Sequence, residues 1–282
     1  MPKLFVYGTL RRGEKNYNLL GGAANIYRQC WTEGTLYDTG LGYPALEPTE
    51  TDRIFGELYN VSDAQLKEID ELESYVEGAP NNLFERVPAK VFNDIGEECE
   101  AYTYTSGLPE SGRAKRIQSG DWLVYNYLKQ DKLLYFAYGS CMDNERFRIA
   151  KVDQHFLNIK GRGTVDEFEF KFSRDSEDGG KADLVENKLE KVEGVVYEVE
   201  EEAIEYLYKR EGVYSKAYRP AVIPVTMDGT IYQAITFIGI DKSDETAPTN
   251  LYGTEIIRGG KEYLSDDYIK KIKKKIDKFL VN

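Results

Sequence analysis

The chain repeats itself, and that repetition constrains its fold more than any single motif. An aromatic-rich segment runs twice into Tyr-Gly and a small hydroxyl residue, as "KLFVYGTLRRG" from Lys3 and as "LLYFAYGSCMD" from Leu133. Tyr7 and Tyr138 stand 131 residues apart. Aligned without gaps at an offset of 138, "GELYNVSDAQLKEIDELE" (56–73) lies over "GVVYEVEEEAIEYLYKRE" (194–211). Gly56/Gly194, Tyr59/Tyr197, Val61/Val199 and Glu73/Glu211 are identical. Each copy reads as a short strand, an acidic patch and a helix. An arginine then precedes a β-type segment (Arg86, Arg219), and a further strand follows ("ECEAYTYTS", "IYQAITFIG") before a last helix. The arginines lie 133 apart, so the second copy has lost five residues from the loop between helix and arginine. Loops tolerate such changes best. The pattern predicts a tandem α+β chain, mainly β with two or three helices in each half. The domains span 1–130 and 133–282 and meet near "KQDK" (129–132), without a Gly/Pro-rich linker.

The net charge bears on partners. It is −12 over 282 residues, with 13 basic and 20 acidic side chains in 1–130 and 24 and 29 in the rest. Neither half carries the basic footprint that neutralising nucleic-acid phosphates requires. The one basic block, "YIKKIKKKIDKFL", places Ile269, Ile272, Ile276 and Phe279 at helical spacing with lysines on the other faces. It reads as a packed terminal helix with a solvated basic face, or alternatively as a membrane-surface or partner site. No apolar run reaches the roughly 18 residues of a membrane span. The opening "MPKLFVYGTL" lacks the apolar length and cleavage site of a signal peptide. Three cysteines, Cys30, Cys99 and Cys141, are an odd and sparse set that fits a reducing compartment. The expectation is a soluble cytoplasmic protein.

Two glutamates sit where apolar residues belong. Leu66, Ile69 and Glu73 stand at i, i+3 and i+7, and Ile204, Leu207, Tyr208 and Glu211 repeat the stripe. A carboxylate facing a core is either paired or at work. The plainer reading puts each at a fraying, exposed helix end. A partly buried carboxylate has a raised pKa, which suits a general base near neutral pH. The Tyr-Gly-Thr and Tyr-Gly-Ser turns present successive backbone N–H groups, and glycine lets a ligand approach the main chain. Such a nest holds a carboxylate or a developing oxyanion. Turn and glutamate together make a candidate site in each half.

These segments resemble the γ-glutamylcyclotransferase superfamily. "FVYGTLRRGEKN", "GYPAL", "FGELYNV", "LKEIDELE" and "FERVPAKV" follow the order of its γ-glutamylamine branch. "FAYGSCMD", "GGKADL", "EGVVYEV" and "KREGVYSKAYR" look more like its glutathione and γ-glutamyl-amino-acid branch. The resemblance implies two tandem γ-glutamylcyclotransferase-like domains, each a small mixed β-barrel with flanking helices. It implies an enzyme, an acyltransferase that closes a γ-glutamyl group to 5-oxoproline and releases an amine or amino acid. Carried over by position, Tyr7, Gly8, Thr9 and Leu10 bind substrate and Glu73 is the acid/base. Tyr138, Gly139, Ser140, Cys141 and Glu211 take the same parts in the second half. The family's aspartate three residues before the glutamate is Asp70 in the first copy and Tyr208 in the second.

Other chemistries fit less well. A dyad of Cys141 with His155, the one histidine, has no counterpart in the first copy, and a Ser–His–Asp triad fails there too. No cluster supplies the roughly four ligands of a zinc site, nor any glycine loop a phosphate cradle. The expectation is no metal and no organic cofactor, and a small-molecule γ-glutamyl substrate as partner, with no nucleic acid, no membrane and the oligomeric state open. Arg86 and Arg219 could clamp a carboxylate or order the barrel, and the second is preferred. The alternative function is a non-catalytic module, one or both pockets binding a γ-glutamyl-like ligand or a partner.

Overall fold

In each half of this computed structural model, which describes residues 1–107 and 115–280, five strands close into a mixed barrel. The first half uses β1 (Lys3–Val6), β2 (Ala24–Glu33), β3 (Thr35–Asp38), β4 (Pro44–Glu47), β5 (Arg53–Asn60), β6 (Phe84–Asn93), β7 (Glu98–Ser106) and β8 (Lys115–Arg116). Its barrel closes in the order β1-β5-β2-β6-β7, beside a small sheet β4-β3-β8. Helices α1 (Asp63–Leu72) and α2 (Trp122–Tyr127) flank it. The second half uses β9 (Leu133–Ala137), β10 (Ile159–Arg174), β11 (Lys181–Val199), β12 (Tyr218–Met227) and β13 (Thr230–Gly239), closing as β10-β11-β9-β13-β12. Helices α3 (Asn144–Ile149), α4 (Glu201–Arg210), α5 (Asn250–Gly260) and α6 (Asp266–Leu280) pack around it. The compact units are Met1–Tyr125 and Asn126–Asn282.

Register repeats as faithfully as topology. Leu4 pairs with Tyr59 antiparallel and with Tyr102 parallel, and Tyr135 pairs likewise with Tyr197 and with Ile235. The repeated glycines follow from this pairing. A Cβ on Gly56 would lie 2.3 Å from the Val6 carbonyl oxygen and 2.6 Å from the Phe5 ring. One on Gly194 would lie 2.4 Å from the Ala137 carbonyl and 2.6 Å from the Phe136 ring. Glycine therefore lets a buried phenylalanine lie flat on the neighbouring strand. We expect Gly56→Ala to destabilise the first barrel by about 3 kcal/mol, because backbone and a caged ring cannot both retreat. Urea titration would show a lower midpoint at unchanged slope, and an unmoved midpoint would contradict this packing.

Among the described residues, the second half departs from the expectation of two or three helices, carrying four α-helices. Asp143 caps α3 through its side chain, just after the Tyr-Gly-Ser turn, where among the described residues the first half has only a short 3-10 turn at Tyr17–Leu20. The strands β4 and β5 of the first half correspond to one long bulged strand, β11. On α6, Ile272 and Ile276 are buried and Phe279 packs edge-on against Phe172. Lys271 pairs with Glu190 at 2.6 Å and Lys275 with Glu245 at 2.9 Å, so this helix is packed and its charges are partly matched within its own half. Among the described residues, no helix is long and apolar enough to cross a membrane.

Candidate active site

Each glutamate is the residue on which its helix stops. Glu73 donates its N–H to Ile69, and Tyr75 then donates to Asp70 across Ser74, whose φ is 53°. Glu211 donates to Leu207, and Val213 donates to Tyr208 across Gly212, at φ 63°. This left-handed stop turns the chain sharply at the C-cap. The N–H of each glutamate still makes the i→i−4 bond, so its side chain keeps the helix face and lines the cavity of its half. Leu66 and Ile69 go into the core, as Ile204 and Leu207 do, while both glutamates are only half-buried. The stripe and the helix-end readings of the sequence are thus both partly right.

In the first half, Tyr7, Gly8, Thr9, Leu10 and Glu73 line one cavity of about 220 Å³. Tyr43, Pro44, Leu72, Leu83, Phe84 and Tyr104 complete much of its wall, with Lys15 and Asn16 beside the turn. Gly8 is required by close packing, since a Cβ there would lie 2.7 Å from Pro44 of the "GYPAL" loop. The turn is braced by Asn16, which donates from Nδ2 to Thr9 Oγ1 at 3.0 Å. It is also braced by Arg11, buried against Asp121 at 2.7 Å and Glu57 at 3.3 Å. Among the described residues, no backbone carbonyl accepts from the N–H groups of Gly8, Thr9 or Leu10. The Tyr7 hydroxyl commits its proton to the Tyr104 carbonyl at 2.8 Å, so it cannot also donate to a ligand. Burial pushes the Glu73 carboxyl up to about 7.

The second half assembles the same residues more tightly. Tyr138, Gly139, Ser140, Cys141 and Glu211 line a cavity of about 30 Å³, with Tyr218, Phe237 and Tyr252 around it. Tyr138 donates to the Phe237 carbonyl at 2.5 Å, as Tyr7 does to that of Tyr104. A Cβ on Gly139 would meet Ala182 of "GGKADL" at 3.1 Å, the counterpart of Pro44. Cys141, in the place of Leu10, donates from Sγ to Glu211 Oε1 at 3.2 Å. Arg210, in the place of Leu72, donates to Cys141 Sγ and to Ser140 Oγ, each at 3.3 Å. A wider space of about 260 Å³ opens outside, lined in part by Arg146, Lys181 and Arg210. Burial raises Glu211 against the opposing pull of Arg210 and of the Cys141 hydrogen bond. The first site is thus walled by leucines where the second is closed by a thiol and a guanidinium.

Cys141 is pushed up to about 12 by burial and by Glu211 beside it, and His155 Nε2 contacts Gln154, so a thiolate–imidazole dyad has no support. Arg86 is bound to Asp70 at 2.6 Å and lies over the rings of Tyr75 and Tyr102, a structural clamp rather than a lining residue. Arg219 is buried on the barrel strand β12, where it pairs with Ile238 of β13. Among the described residues, no group of three or more His, Cys, Asp or Glu is placed to hold a metal ion. Sequence reasoning does not single out Lys15, Tyr43 or Tyr104. Tyr43 lies in the "GYPAL" segment that carries part of the family resemblance, whereas nothing in the pattern separates Tyr104 from Tyr102.

Comparison with known proteins places this geometry. The model of the family "Gamma-glutamyl cyclotransferase, AIG2-like" matches residues 4–124, and that of the "AIG2-like family" matches residues 191–272. YkqA of Bacillus subtilis (strain 168), whose name carries the term gamma-glutamylcyclotransferase, is 37% identical over 276 residues, 96% of each chain. The chain belongs to the γ-glutamyl cyclotransferase, AIG2-like family. The crystal structure of YkqA superimposes with a TM-score of 0.87 at 35% identity, covering 99% of this chain and 98% of that one. The γ-glutamyl cyclotransferase of γ-L-glutamyl-butirosin B from Niallia circulans is 46% identical over 105 residues. That match covers 37% of this chain and 66% of the relative. Two family matches in tandem and two barrels of one topology fit the duplication visible in the sequence.

Proposed function

We propose that the chain is a γ-glutamyl cyclotransferase releasing 5-oxoproline and an amine or amino acid from a small γ-glutamyl compound. Glu73 is its general acid/base in the first half, and Glu211 takes that part in the second. The observation that carries this reading is the first cavity, which a carboxyl raised to about 7 by burial shares with a turn whose N–H groups, among the described residues, go to no backbone carbonyl. Glu73 takes a proton from the substrate's α-ammonium, and the freed amine forms a bond to its own γ-carbonyl carbon. The carbonyl electrons move onto oxygen, held by N–H groups of Gly8, Thr9 and Leu10. Collapse of that oxyanion breaks the bond to the leaving nitrogen, which receives the proton from Glu73, and the ring nitrogen gives up its second proton to the departing amine to become the lactam N–H. Nucleophile and electrophile share one short chain, so ring closure is helped by proximity and needs neither metal nor organic cofactor. The test is release of 5-oxoproline from a panel of γ-glutamyl amides and dipeptides; no release from any would refute the reading.

A second reading for the second half is favoured by the Cys141–Glu211 contact and the small inner cavity. There the half holds a γ-glutamyl-like ligand without turning it over. Turnover remaining after loss of Glu73 separates the two.

The raised carboxyl sets the pH dependence. A base must be deprotonated, so kcat/KM should rise with pH through about 7 and fall roughly tenfold per unit below it. Measured in the Glu211→Gln chain, a limb near the ordinary glutamate value would mean that another group governs the rate.

A further inference from the structure

We propose that Tyr104 is a second recognition residue of the first site: its phenolic oxygen accepts a hydrogen bond from the substrate's α-ammonium and orients that nitrogen between itself and Glu73. The assignment rests on the γ-glutamyl reading above, which supplies the ammonium. Tyr104 lies on β7, is buried, and lines the cavity. Its hydroxyl donates to Asp70 Oδ1 at 2.7 Å. Asp70 is fixed in turn by Arg86, at 2.6 Å through Oδ2. A phenol has one proton. With that proton committed to Asp70, the oxygen can only accept, and the partner's charge polarises it toward doing so.

The location fits an ammonium. Asp70 precedes Glu73 by three residues on the same helix face, so the phenol end of Tyr104 lies toward the glutamate. Glu73 is among the charges that push the Tyr104 hydroxyl up. An ammonium bound there would have one N–H facing Glu73 and another facing Tyr104. When Glu73 removes its proton, the second hydrogen bond keeps the nitrogen from rotating away from the γ-carbonyl. Tyr104 thus positions the nucleophile without exchanging a proton.

The repeat supplies a comparison within the same molecule. Phe237 occupies the Tyr104 position, its carbonyl accepting from Tyr138 as that of Tyr104 accepts from Tyr7. Tyr208 stands where Asp70 does, edge-on to Phe237 with centroids 5.8 Å apart. The polar chain of the first half is replaced by an aromatic pair. The second half therefore lacks this acceptor, and a phenylalanine ring is tolerated at this place in the barrel.

The experiment compares two ligands on the full chain carrying Glu211→Gln. One is a γ-glutamyl alkylamide with a free α-amine; the other is the glutaric monoamide of the same alkylamine, which lacks only that amine. Calorimetric binding is measured for both, with 5-oxoproline release for the first. Tyr104→Phe should weaken binding of the amine-bearing ligand roughly 10- to 100-fold, the range for a hydrogen bond to a charged group. The desamino ligand should bind Tyr104→Phe as it binds the parent. Asp70→Ala frees the phenolic proton to turn toward the ammonium, so it should weaken the same ligand selectively. Equal losses for both ligands would make Tyr104 a packing residue, and no loss for either would also overturn the proposal. Selective weakening without any 5-oxoproline would uphold the ammonium contact while refuting cyclisation.

Discussion

Glu73→Gln should lower 5-oxoproline release by the first half about 10²- to 10⁴-fold, the usual contribution of a positioned acid/base. Glutamine keeps the shape and hydrogen-bonding reach of the side chain and loses only the ability to take up the proton. The fold should survive, because Glu73 sits beyond the last turn of α1, whose end is secured by backbone hydrogen bonds across Ser74. Replacing a carboxylate held at a desolvating site also removes a burial cost rather than a stabilising ion pair. Glu211→Gln does the same for the second half, so the single variants divide the activity between the halves. If Glu73→Gln abolishes turnover and Glu211→Gln leaves it whole, the second half is a binding module. Near-parental turnover in the double variant, on a confirmed substrate, would sink the role of both carboxylates.

Much of this architecture is legible in the repeat itself. Identities at one offset locate the paired strand and helix, because Gly56 and Gly194 answer one constraint, a phenylalanine ring against the backbone. The glutamates are visible as polar residues in phase with an apolar helical stripe, and the fold brings each to the Tyr-Gly turn of its own half. Three features are not readable from the pattern. Which tyrosine of "AYTYTS" reaches the cavity depends on how β7 pairs with β1, and both tyrosines fall on the same strand face. The thiol contact of Cys141 joins residues 70 apart and depends on side-chain packing, which periodicity does not encode. The fourth helix of the second half escapes a periodicity argument because α3 is six residues long, too short to show a period.

Blocking the substrate's own α-amine should abolish turnover, and this separates ring closure from hydrolysis more sharply than any substitution in the protein. An N-acetylated γ-glutamyl amide keeps the bond to be broken, the γ-carbonyl and the leaving amine. It loses the basic nitrogen that Glu73 would activate, and acetylation leaves an amide whose lone pair is delocalised. Whether such a compound enters the first cavity, of about 220 Å³, is measured separately, so that inertness is not confused with exclusion. Competition against the free substrate measures that binding directly. A carboxyl near 7 could in principle activate water instead, and the two mechanisms then differ in product. Activated water would release glutamate, and in heavy-oxygen water the new carboxylate would carry the label. Cyclisation releases 5-oxoproline whose ring carbonyl keeps the original oxygen, because no water enters the bond-forming step. Mass analysis of products from free and blocked substrates reads both outcomes at once. Unlabelled 5-oxoproline from the free substrate and nothing from the blocked one is the expected result. Label in released glutamate, or turnover of the blocked compound, would assign the nucleophile to water.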